Sequence, residues 1–483
     1  MSIRLYALLM AITTAQLAGA DLDEHIAAEL TRLRNTFNAG VTRSTTWRAG
    51  QIRGVIRFAK DNTDALIDAI SADLGRPPIE GFTADISSSI SGAEFMLANF
   101  GKWAKPRRRR LPIVTQPGSA KIMPEPLGLS LIISPWNYPV NLVLEPLVAS
   151  FAAGNVVAIK PSEVSSHTTA LIARELPKYV DARALAIFEG NADMSTALLR
   201  QRFDHIFFTG STDVGRIVLR AAAEHLTPVV LELGGKSPVI VTADADIEVA
   251  ASRIAWGKTF NAGQTCIAPD YVLVDESRRN ELVNAIIDAW RTFFGEDMEK
   301  SPDFGRIVNR NHHQRLSALL EEVQASEGCE IYGGDRDSDT LYLAPTIVVD
   351  PPRDSALMSN EIFGPILPVL SMHDVTESIQ FVNERPKPLA LYVFSESSAT
   401  VDKVLEQTSS GGALVNHTLL QFVPPDLPFG GVGPSGMGRY HGKEGFDAFS
   451  NLKGVMSKPT KRENNLAYPP YTAMKQKLLR RVT

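Results

Sequence analysis

Apolar positions in the first part of the chain follow the spacing of an amphipathic helix. From about residue 21 they recur every three or four residues, at Leu22, Ile26, Leu30, Leu33 and Phe37. A second run of the same spacing extends from Ile52 to Ile70. Because residues three and four apart share one face of a helix, the opening of the chain from Asp21 is predicted to be helical.

Beyond residue 126, short β-rich runs alternate with helical ones. Strands are predicted at 129–133, 156–159, 205–208 and 228–233. Helices are predicted at 142–153, 168–176 and 214–225. This alternation indicates a parallel sheet covered by helices, and a second region of the same kind is predicted at 237–408. Between 102 and 126, prolines, arginines and short alternating apolar residues predict an extended or hairpin excursion.

Composition narrows the class of protein. The chain has 483 residues, of which 44% are hydrophobic and 21% charged, which excludes disordered and collagen-like proteins. Its formal net charge of −5 disfavours nucleic acid as a partner. Cys266 and Cys329 form neither a CxxC pair nor a cluster with histidines, so no metal site is predicted. Free thiols persist in reducing compartments, which favours the cytoplasm.

The first 20 residues carry a pattern with two interpretations. Arg4 precedes the apolar run Leu5 to Ile12, and Leu17 to Ala20 resembles the cleavage site of a secretory signal. The alternative is an N-terminal extension ahead of the folded domain. A helix needs about 18 consecutive apolar residues to span a bilayer. The sequence contains no apolar run of that length, so no stable membrane anchor is predicted. The basic tail and the run Arg107 to Arg110 are predicted to be solvated surface segments.

One of the two cysteines lies in a setting that suits a nucleophile. Cys266 ends the small, polar stretch Asn261-Ala262-Gly263-Gln264-Thr265, whereas a structural cysteine more often lies in an apolar run. A nucleophile and a core cysteine both remain open on this local context. Cys329 has acidic neighbours that oppose thiolate formation, so it is the weaker candidate.

Two further segments offer groups for acid–base and oxyanion chemistry. Glu232 ends an apolar strand and precedes two glycines, where a partly buried carboxylate acts either as a general base or as a salt-bridge partner. Asn137 stands in Pro135-Trp136-Asn137-Tyr138-Pro139, where the prolines restrict the backbone. A fixed amide donor suits an oxyanion hole, although asparagine is also an ordinary turn residue.

The segment from Phe208 to Gly215 joins a predicted strand to a predicted helix. The free N–H groups at a helix start can bind a pyrophosphate. The glycine spacing is GxxxxG, however, and differs from the usual dinucleotide fingerprint GxGxxG. Upstream, Lys160 and Glu163 follow a strand where they can hold ribose hydroxyls.

Taken in order, these segments resemble the aldehyde dehydrogenase superfamily over nearly the whole chain from about residue 21. The shared motifs are PWNYP, KPSE, FTGST, LELGGKSP, GQTC, EIFGPILPV at 361–369 and LPFGGVGPSGMGRYHGKEGF at 427–446. Tyr138, the segments 202–206 and 225–228, and the stretch 266–271 are most similar to the class 3, fatty-aldehyde and coniferyl-aldehyde branch.

The resemblance implies a reaction and a role for each candidate. It implies NAD(P)-dependent oxidation of medium- or long-chain aliphatic or aromatic aldehydes to carboxylic acids, through a thiohemiacetal and a thioester. Cys266 would be the nucleophile, Asn137 and the Cys266 N–H the oxyanion hole, and Glu232 the general base. A coenzyme A-acylating enzyme and a non-catalytic binding protein of this fold are the alternatives. Glu232 opposes the first of these, and Cys266 together with Glu232 opposes the second.

The resemblance also implies a cofactor, NAD with NADP tolerated. Lys160 and Glu163 would hold a ribose, and Glu361 would hold the nicotinamide ribose while Phe363 packs near the ring. The pyrophosphate would contact the strand-to-helix turn formed by Gly210, Ser211, Thr212, Asp213, Val214 and Gly215.

The implied fold class is α/β, with a Rossmann-type dinucleotide domain, an α/β catalytic domain and a small β flap for oligomerisation. The expected boundaries are an extension at 1–20, an NAD-binding domain at 21–104 and 126–230, a catalytic domain at 231–410, a flap at 105–125 and 411–450, and a tail at 451–483. Relatives in this branch are commonly homodimers, so a cytoplasmic homodimer is expected. Strand-like segments at 413–416 and 122–123 are assigned to its flap.

Overall fold

The computed structural model describes residues 20–326, 328–461 and 465–482. The predicted signal-like segment at 1–20 therefore lies almost entirely outside the described residues. The strands within these ranges are β1 (Arg107–Arg109), β2 (Ser119–Pro126), β3 (Leu129–Ile133), β4 (Val156–Lys160), β5 (Leu185–Ile187), β6 (His205–Thr209), β7 (Val229–Glu232), β8 (Pro238–Val241), β9 (Tyr271–Asp275), β10 (Glu330–Tyr332), β11 (Arg336–Asp337), β12 (Tyr342–Leu343), β13 (Thr346–Val349), β14 (Ile366–Met372), β15 (Ala390–Phe394), β16 (Gly412–Val415), β17 (Gly436–Met437) and β18 (Ser450–Ser457).

Helices cover these strands and dominate the chain from residue 20 to residue 103. They are α1 (Ala20–Asn38), α2 (Thr45–Asp61), α3 (Thr63–Leu74), α4 (Pro78–Glu80), α5 (Ser88–Trp103), α6 (Asn141–Ala153), α7 (Ser166–Glu175), α8 (Ala192–Leu199), α9 (Thr212–Ala223), α10 (Ile247–Thr259), α11 (Arg279–Phe294), α12 (Arg310–Gln324), α13 (Ala356–Ser359), α14 (Val375–Asn383), α15 (Ser398–Gln407), α16 (Gly442–Ala448) and α17 (Ala473–Val482). A π-helical turn, Gly81–Ser87, leads into α5. None of the helices in the described ranges is long and apolar enough to cross a membrane.

Two large, mostly parallel sheets form the centre of the molecule. The first has the order β17-β7-β6-β3-β4-β5, and only β17 runs antiparallel to its neighbour. The second has the order β10-β13-β14-β9-β8-β15-β16, with β10 antiparallel to β13. The fold class is therefore α/β with parallel sheets, as the alternation of runs predicts. Every residue of β3, β4 and β6 is buried, because helices cover both faces of such a sheet.

A third, antiparallel sheet has the order β1-β2-β18. The predicted hairpin at 102–126 supplies β1 and β2. The assignment of the segment at 413–416 to this sheet is wrong, because β16 pairs in parallel with β15 at the edge of the second large sheet. The third strand is instead β18, which the sequence analysis places in a solvated tail. Side chains alternate in exposure along β16 and are mostly exposed along β18. Neither pattern indicates the sheet to which the strand belongs.

Candidate active site

The sequence-predicted residues meet where the two large sheets face each other. Asn137 follows β3 and Glu232 ends β7, so both lie at the carboxyl edge of the first sheet. Cys266 precedes β9 and Glu361 precedes β14, so both lie at the amino edge of the second sheet. The segment 233–237 crosses from β7 to β8 and joins the two edges. The site therefore lies at the junction between the two large sheets.

The loop that carries Cys266 has an unusual backbone conformation. Asn261, Ala262 and Gly263 have φ angles of 54°, 50° and 73°, in the left-handed region that few side chains adopt. Buried Gln264 fixes the next turn, because its amide donates to the carbonyls of Asn261 and Arg306 at 3.0 and 2.9 Å. The loop is held rigidly before it reaches the thiol.

Asn137 lies against this loop. Its side chain is 3% exposed, and its Nδ2 donates to the carbonyl of Gln264 at 3.1 Å. An amide nitrogen carries two N–H donors, so one remains for a second acceptor beside Cys266. The structure thus brings together the amide and the thiol that the sequence analysis selects separately.

A buried ion pair that the sequence analysis missed ties the two loops together. Arg76 and Asp85 contact each other at 2.5 Å with fully buried side chains. Arg76 Nε donates to Asn261 Oδ1 at 3.0 Å, and its guanidinium also donates to the Asn137 carbonyl. Asp85 Oδ1 accepts the N–H groups of Val140 and Asn141, the latter at 2.9 Å. Arg76 stands in a Gly-Arg-Pro-Pro loop, a pattern that gives no signal of burial.

Replacing Asp85 with asparagine is expected to lower the free energy of unfolding by about 3–5 kcal/mol, because it removes the carboxylate that contacts the buried Arg76 guanidinium. Urea unfolding followed by fluorescence measures this change. The matched control is Glu94→Gln, which removes one partner of the exposed Lys60–Glu94 pair and should cost less than about 1 kcal/mol. Equal losses in the two variants would contradict the structural role of the buried pair.

The Cys266 side chain is held in the thiol form. Burial, followed by the charges of Glu361 and Glu232, raises its pKa to about 12. The thiolate is the reactive species. The pKa of Cys266 must therefore fall before the thiol attacks, either because the neighbouring carboxylates take up protons or because a positive charge approaches. Both predicted carboxylates therefore lie within electrostatic reach of the thiol.

Glu361 packs against the glycines that follow Glu232. A Cβ at Gly234 would collide with the Glu361 carboxyl group, which explains the need for glycine there. Burial and the nearby charge of Asp270 raise the pKa of Glu361 to about 8, while the Gly235 N–H, Lys236 and Arg315 act in the opposite direction. Glu361 is thus largely protonated at neutral pH and ionised above pH 8.

Glu361→Gln is expected to speed alkylation of Cys266 by iodoacetamide about threefold to tenfold at pH 9, because the variant removes a negative charge that raises the thiol pKa. At pH 6, where Glu361 is protonated, the two proteins should react at the same rate. A Cys329→Ser background restricts the signal to Cys266. A rate ratio that does not change with pH would show that the Glu361 charge does not control the thiol.

Glu232 is buried without a partner. It is 3% exposed, and neither carboxyl oxygen has a hydrogen bond among the residues that the structure describes. Burial raises its pKa well above the usual range, and Arg439 acts in the opposite direction. Glu232 therefore forms no salt bridge with the described residues, which was the alternative role that the sequence analysis left open. A carboxyl group left unpaired in this way remains free to exchange a proton with water or a ligand.

The predicted nucleotide-binding residues lie along the carboxyl edge of the first sheet. Lys160 ends β4, is 3% exposed and pairs with Glu163. Gly210 and Ser211 lead from β6 into α9, and Ser211 Oγ accepts the Val214 N–H at 3.4 Å. The other N–H groups of the first turn point out of the helix end. Val214 exposes 44% of its surface, which leaves an apolar face beside these donors.

The rest of the predicted turn is arranged around this helix start. Thr212 Oγ1 donates to the Pro434 carbonyl at 3.0 Å, and Asp213 pairs with Arg216 at 2.6 Å. Gly215 packs against the Leu233 side chain, where a Cβ would collide. Ile217, one turn further along, is 54% exposed and extends the apolar face. The sequence analysis did not select Ile217, although its spacing from Val214 is helical.

Phe363 lies at the opposite side of the junction. Its ring packs edge-on against Trp136 at 5.4 Å between centroids, which places it beside the Asn137 loop. A small cavity next to it is lined by Gly235, Lys258, Asp270, Glu361 and Phe363 among others. Lys258 is 1% exposed, and burial lowers its pKa to about 8. The sequence analysis missed this lysine, which lies on α10 in a helical run.

Cys329 belongs to a different part of the molecule. Its thiol donates to the Asp350 carbonyl at 4.0 Å and packs against the cluster around α12. Burial and then Asp350 raise its pKa, so the direction agrees with the sequence prediction although the causes are not the acidic neighbours in the chain.

Comparison with known proteins shows the family of the chain. The model of the aldehyde dehydrogenase family matches residues 13–455. The chain is 44% identical to aldehyde dehydrogenase family 3 member A2 of Rattus norvegicus, over 92% of each chain, and 46% identical to family 3 member B1 of Homo sapiens, over 93% of this chain and 96% of the other. The structure of Staphylococcus aureus AldH in a substrate-bound state superposes with a TM-score of 0.91 at 41% identity, covering 94% of this chain and 99% of the other. The chain therefore belongs to the aldehyde dehydrogenase family and oxidises aldehydes to carboxylic acids with NAD or NADP.

Proposed function

We propose that Cys266 attacks the aldehyde and that Asn137 and the Cys266 N–H stabilise the oxygen anion that forms. The convergence of the Asn137 amide and the Cys266 loop at Gln264 carries this proposal. Attack of the thiolate on the carbonyl forms a C–S bond and places negative charge on oxygen. Donors already aimed at that charge stabilise it by about 3 kcal/mol.

Asn137→Ala is expected to lower kcat/KM for an aldehyde about 10²- to 10³-fold, because one donor to the oxyanion is lost. Steady-state NADH formation measures the change. Asn141→Ala removes a nearby buried amide that donates only to Ser88 and Ser89, and serves as the control for loss of packing. An equal loss in both variants would remove Asn137 from the oxyanion role.

When bound, NAD(P) supplies a hydride acceptor, so the cysteine adduct becomes a thioester. Glu232 then takes a proton from water, which attacks the thioester carbon and releases the acid and the Cys266 thiol. The absence of a salt bridge in the described surroundings of Glu232 supports this assignment. Glu361, with its larger effect on the Cys266 pKa, is the second carboxylate at the site.

The residues present fit a dinucleotide. The start of α9 offers N–H donors with an apolar face at Val214, and the buried Lys160 ammonium lies where a hydroxyl or phosphate can accept from it. We propose that Glu163 favours NAD by accepting from a free ribose hydroxyl, with NADP tolerated through Lys160. Kinetics with both cofactors test this preference. An NADP preference above about 100-fold, or 2.7 kcal/mol, would exclude it.

The class 3 resemblance favours medium- and long-chain aliphatic or aromatic aldehydes as substrates. A panel from short aliphatic to aromatic aldehydes, scored by NADH formation at matched concentration, tests this range. A kcat/KM that falls steadily as the chain lengthens would contradict it. The same assay tests the two alternatives of the sequence analysis. A coenzyme A-acylating enzyme needs added coenzyme A for turnover, and a non-catalytic binding protein forms no NADH.

We propose further that the chain acts as a cytoplasmic homodimer. Two strand edges support the dimer: β18 has β2 as its one described neighbour, and β16 ends the second sheet, so each leaves unpaired backbone groups. The two free thiols support a reducing compartment. Light scattering at micromolar concentration tests the dimer. A monomer would count against it, and a mature N-terminus at Asp21 in a secreted fraction would overturn the location.

A further inference from the structure

The strained loop that carries Cys266 is held from outside by a carboxyl group that the reaction described above does not use. Asn261 and Ala262 have φ and ψ angles of 54° and 34° and of 50° and 34°, close to those of a left-handed helix. Residues other than glycine adopt this conformation singly, because Cβ lies too close to the following carbonyl oxygen. Two in succession persist only where the surroundings enforce them. The contacts that do so therefore help to place the thiol.

Asn261 is the residue through which these contacts reach the loop. Its side-chain amide donates to the carbonyls of Asn137 and Gln264 at 3.0 and 3.1 Å, and its Oδ1 accepts from Arg76 at 3.0 Å. Its backbone N–H donates to Glu80 Oε2 at 2.9 Å. Within the described ranges, Glu80 supplies the acceptor for this N–H. Glu80 thus holds the residue that joins the Asn137 loop to the Cys266 loop.

The turn that precedes the contact places Glu80. This residue ends the short helix α4, which begins at Pro78, where the fixed φ of proline suits the start of a helix. On another side of the loop, a Cβ at Gly305 would lie 3.6 Å from the Ala262 nitrogen, so this segment packs against the same two strained residues. The loop is therefore enclosed by other segments of the chain, and α4 is the one that supplies a carboxyl group.

The charge of Glu80 changes near neutral pH. Burial raises its pKa to about 7, Arg76 and the Asn261 N–H oppose the shift, and Asp303 adds to it. The phenol of Tyr138 also faces Glu80 and stays protonated, because burial raises its own pKa. An ionised carboxylate accepts a stronger hydrogen bond than a carboxylic acid. The contact with the Asn261 N–H is therefore strongest above pH 7 and weakens below it.

We propose that Glu80 is a positioning residue that holds the Cys266 thiol beside the Asn137 amide. The inference rests on the proposed function, because it requires Cys266 to attack an aldehyde whose oxygen meets Asn137. Glu80 acts through Asn261 and contacts neither of the two reacting groups. The reactivity of the thiol itself is governed by burial and by two other carboxylates. Loss of Glu80 should therefore impair the addition to an aldehyde more than other reactions of the same thiol.

The test measures two reactions of Cys266 in Glu80→Gln. Glutamine keeps the size of the side chain and an oxygen that accepts from the Asn261 N–H, but it carries no charge. At pH 8 the variant should have a kcat/KM about threefold to tenfold below that of the wild type, because a charged acceptor is replaced by a neutral one. Alkylation by iodoacetamide, measured in a Cys329→Ser background, should stay within about twofold, because it forms no oxygen anion that needs Asn137.

The pH profile separates positioning from a purely structural role. At pH 6, where Glu80 is protonated, wild type and Glu80→Gln should have the same kcat/KM, which also shows that the variant folds. The ratio of the two values cancels the titrations that both proteins share. In an Asp303→Asn background the ratio should rise at a lower pH, because Asp303 raises the pKa of Glu80. Glu94→Gln, at an exposed ion pair, should leave the profile of the ratio unchanged.

Two results would overturn the inference. One is a ratio of wild-type to Glu80→Gln kcat/KM that stays constant between pH 6 and pH 8. The other is an equal loss of turnover and of alkylation at pH 8, which would show that Glu80 acts on the reactivity of the thiol and not on its position. Failure of the wild-type protein to form NADH, or turnover that persists in Cys266→Ala, would overturn the proposed function instead.

Discussion

Replacing Cys266 with alanine is expected to lower kcat by at least about 10⁴-fold while NAD binding stays largely intact. The thiol forms the bond to the substrate in every step of the proposed cycle, so no partial pathway remains without it. Its side chain is small and its loop is fixed by Gln264 and Asn261, so the fold tolerates the change. Turnover is measured as steady-state NADH formation, and cofactor binding by titration of protein fluorescence.

Cys329→Ala is the matched control, because it removes the other thiol of the chain from a distant cluster. This variant should keep full activity. A Cys266→Ala protein with more than about a hundredth of the wild-type rate would contradict the nucleophile assignment. A large loss in Cys329→Ala would move suspicion to the second thiol.

The sequence predicts most of the fold because long apolar runs with a clear period leave little choice. The runs at 129–133 and 156–159 are too short for helices and too continuous for half-exposed strands, and they become β3 and β4. The strands β16 and β18 could not be assigned to a sheet in this way. Their side chains alternate or lie exposed, and the pairing partner of an edge strand is set by chain topology rather than by its own pattern.

At the site, the sequence predicts which residue types carry the chemistry, but it does not predict which side chains are buried. Motifs select Cys266, Asn137 and Glu232, because each carries a chemical group that the reaction needs. No pattern marks Arg76 as buried, since arginine is usually exposed. Its burial depends on contacts with residues far away in sequence, such as Asn261, and becomes visible only when both loops are placed together.

Glu232→Gln is expected to separate the two halves of catalysis. The variant should lower steady turnover about 10²- to 10⁴-fold, because hydrolysis of the thioester loses its base. Formation of the thioester needs the Cys266 thiolate and NAD as the hydride acceptor, and loss of the Glu232 charge lowers the pKa of Cys266, so these steps remain open in the variant. Mixed rapidly with aldehyde and NAD, the variant should therefore release at most one NADH per active site and then stall. Glutamine keeps the shape of the side chain and cannot accept a proton at neutral pH, so the variant tests the base without a change in side-chain size.

The stalled state can be identified directly. Stopped-flow absorbance counts the NADH released in the burst, and mass spectrometry of the digested protein should find an acyl group on the peptide that contains Cys266. Glu361→Gln, examined in the same way, is the matched comparison, since both carboxylates raise the pKa of Cys266. If Glu232→Gln turns over at the full rate while Glu361→Gln stalls after one NADH, the base is Glu361. An acyl group on Cys329 would refute the nucleophile assignment, because that thiol lies against Asp350 and away from both carboxylates.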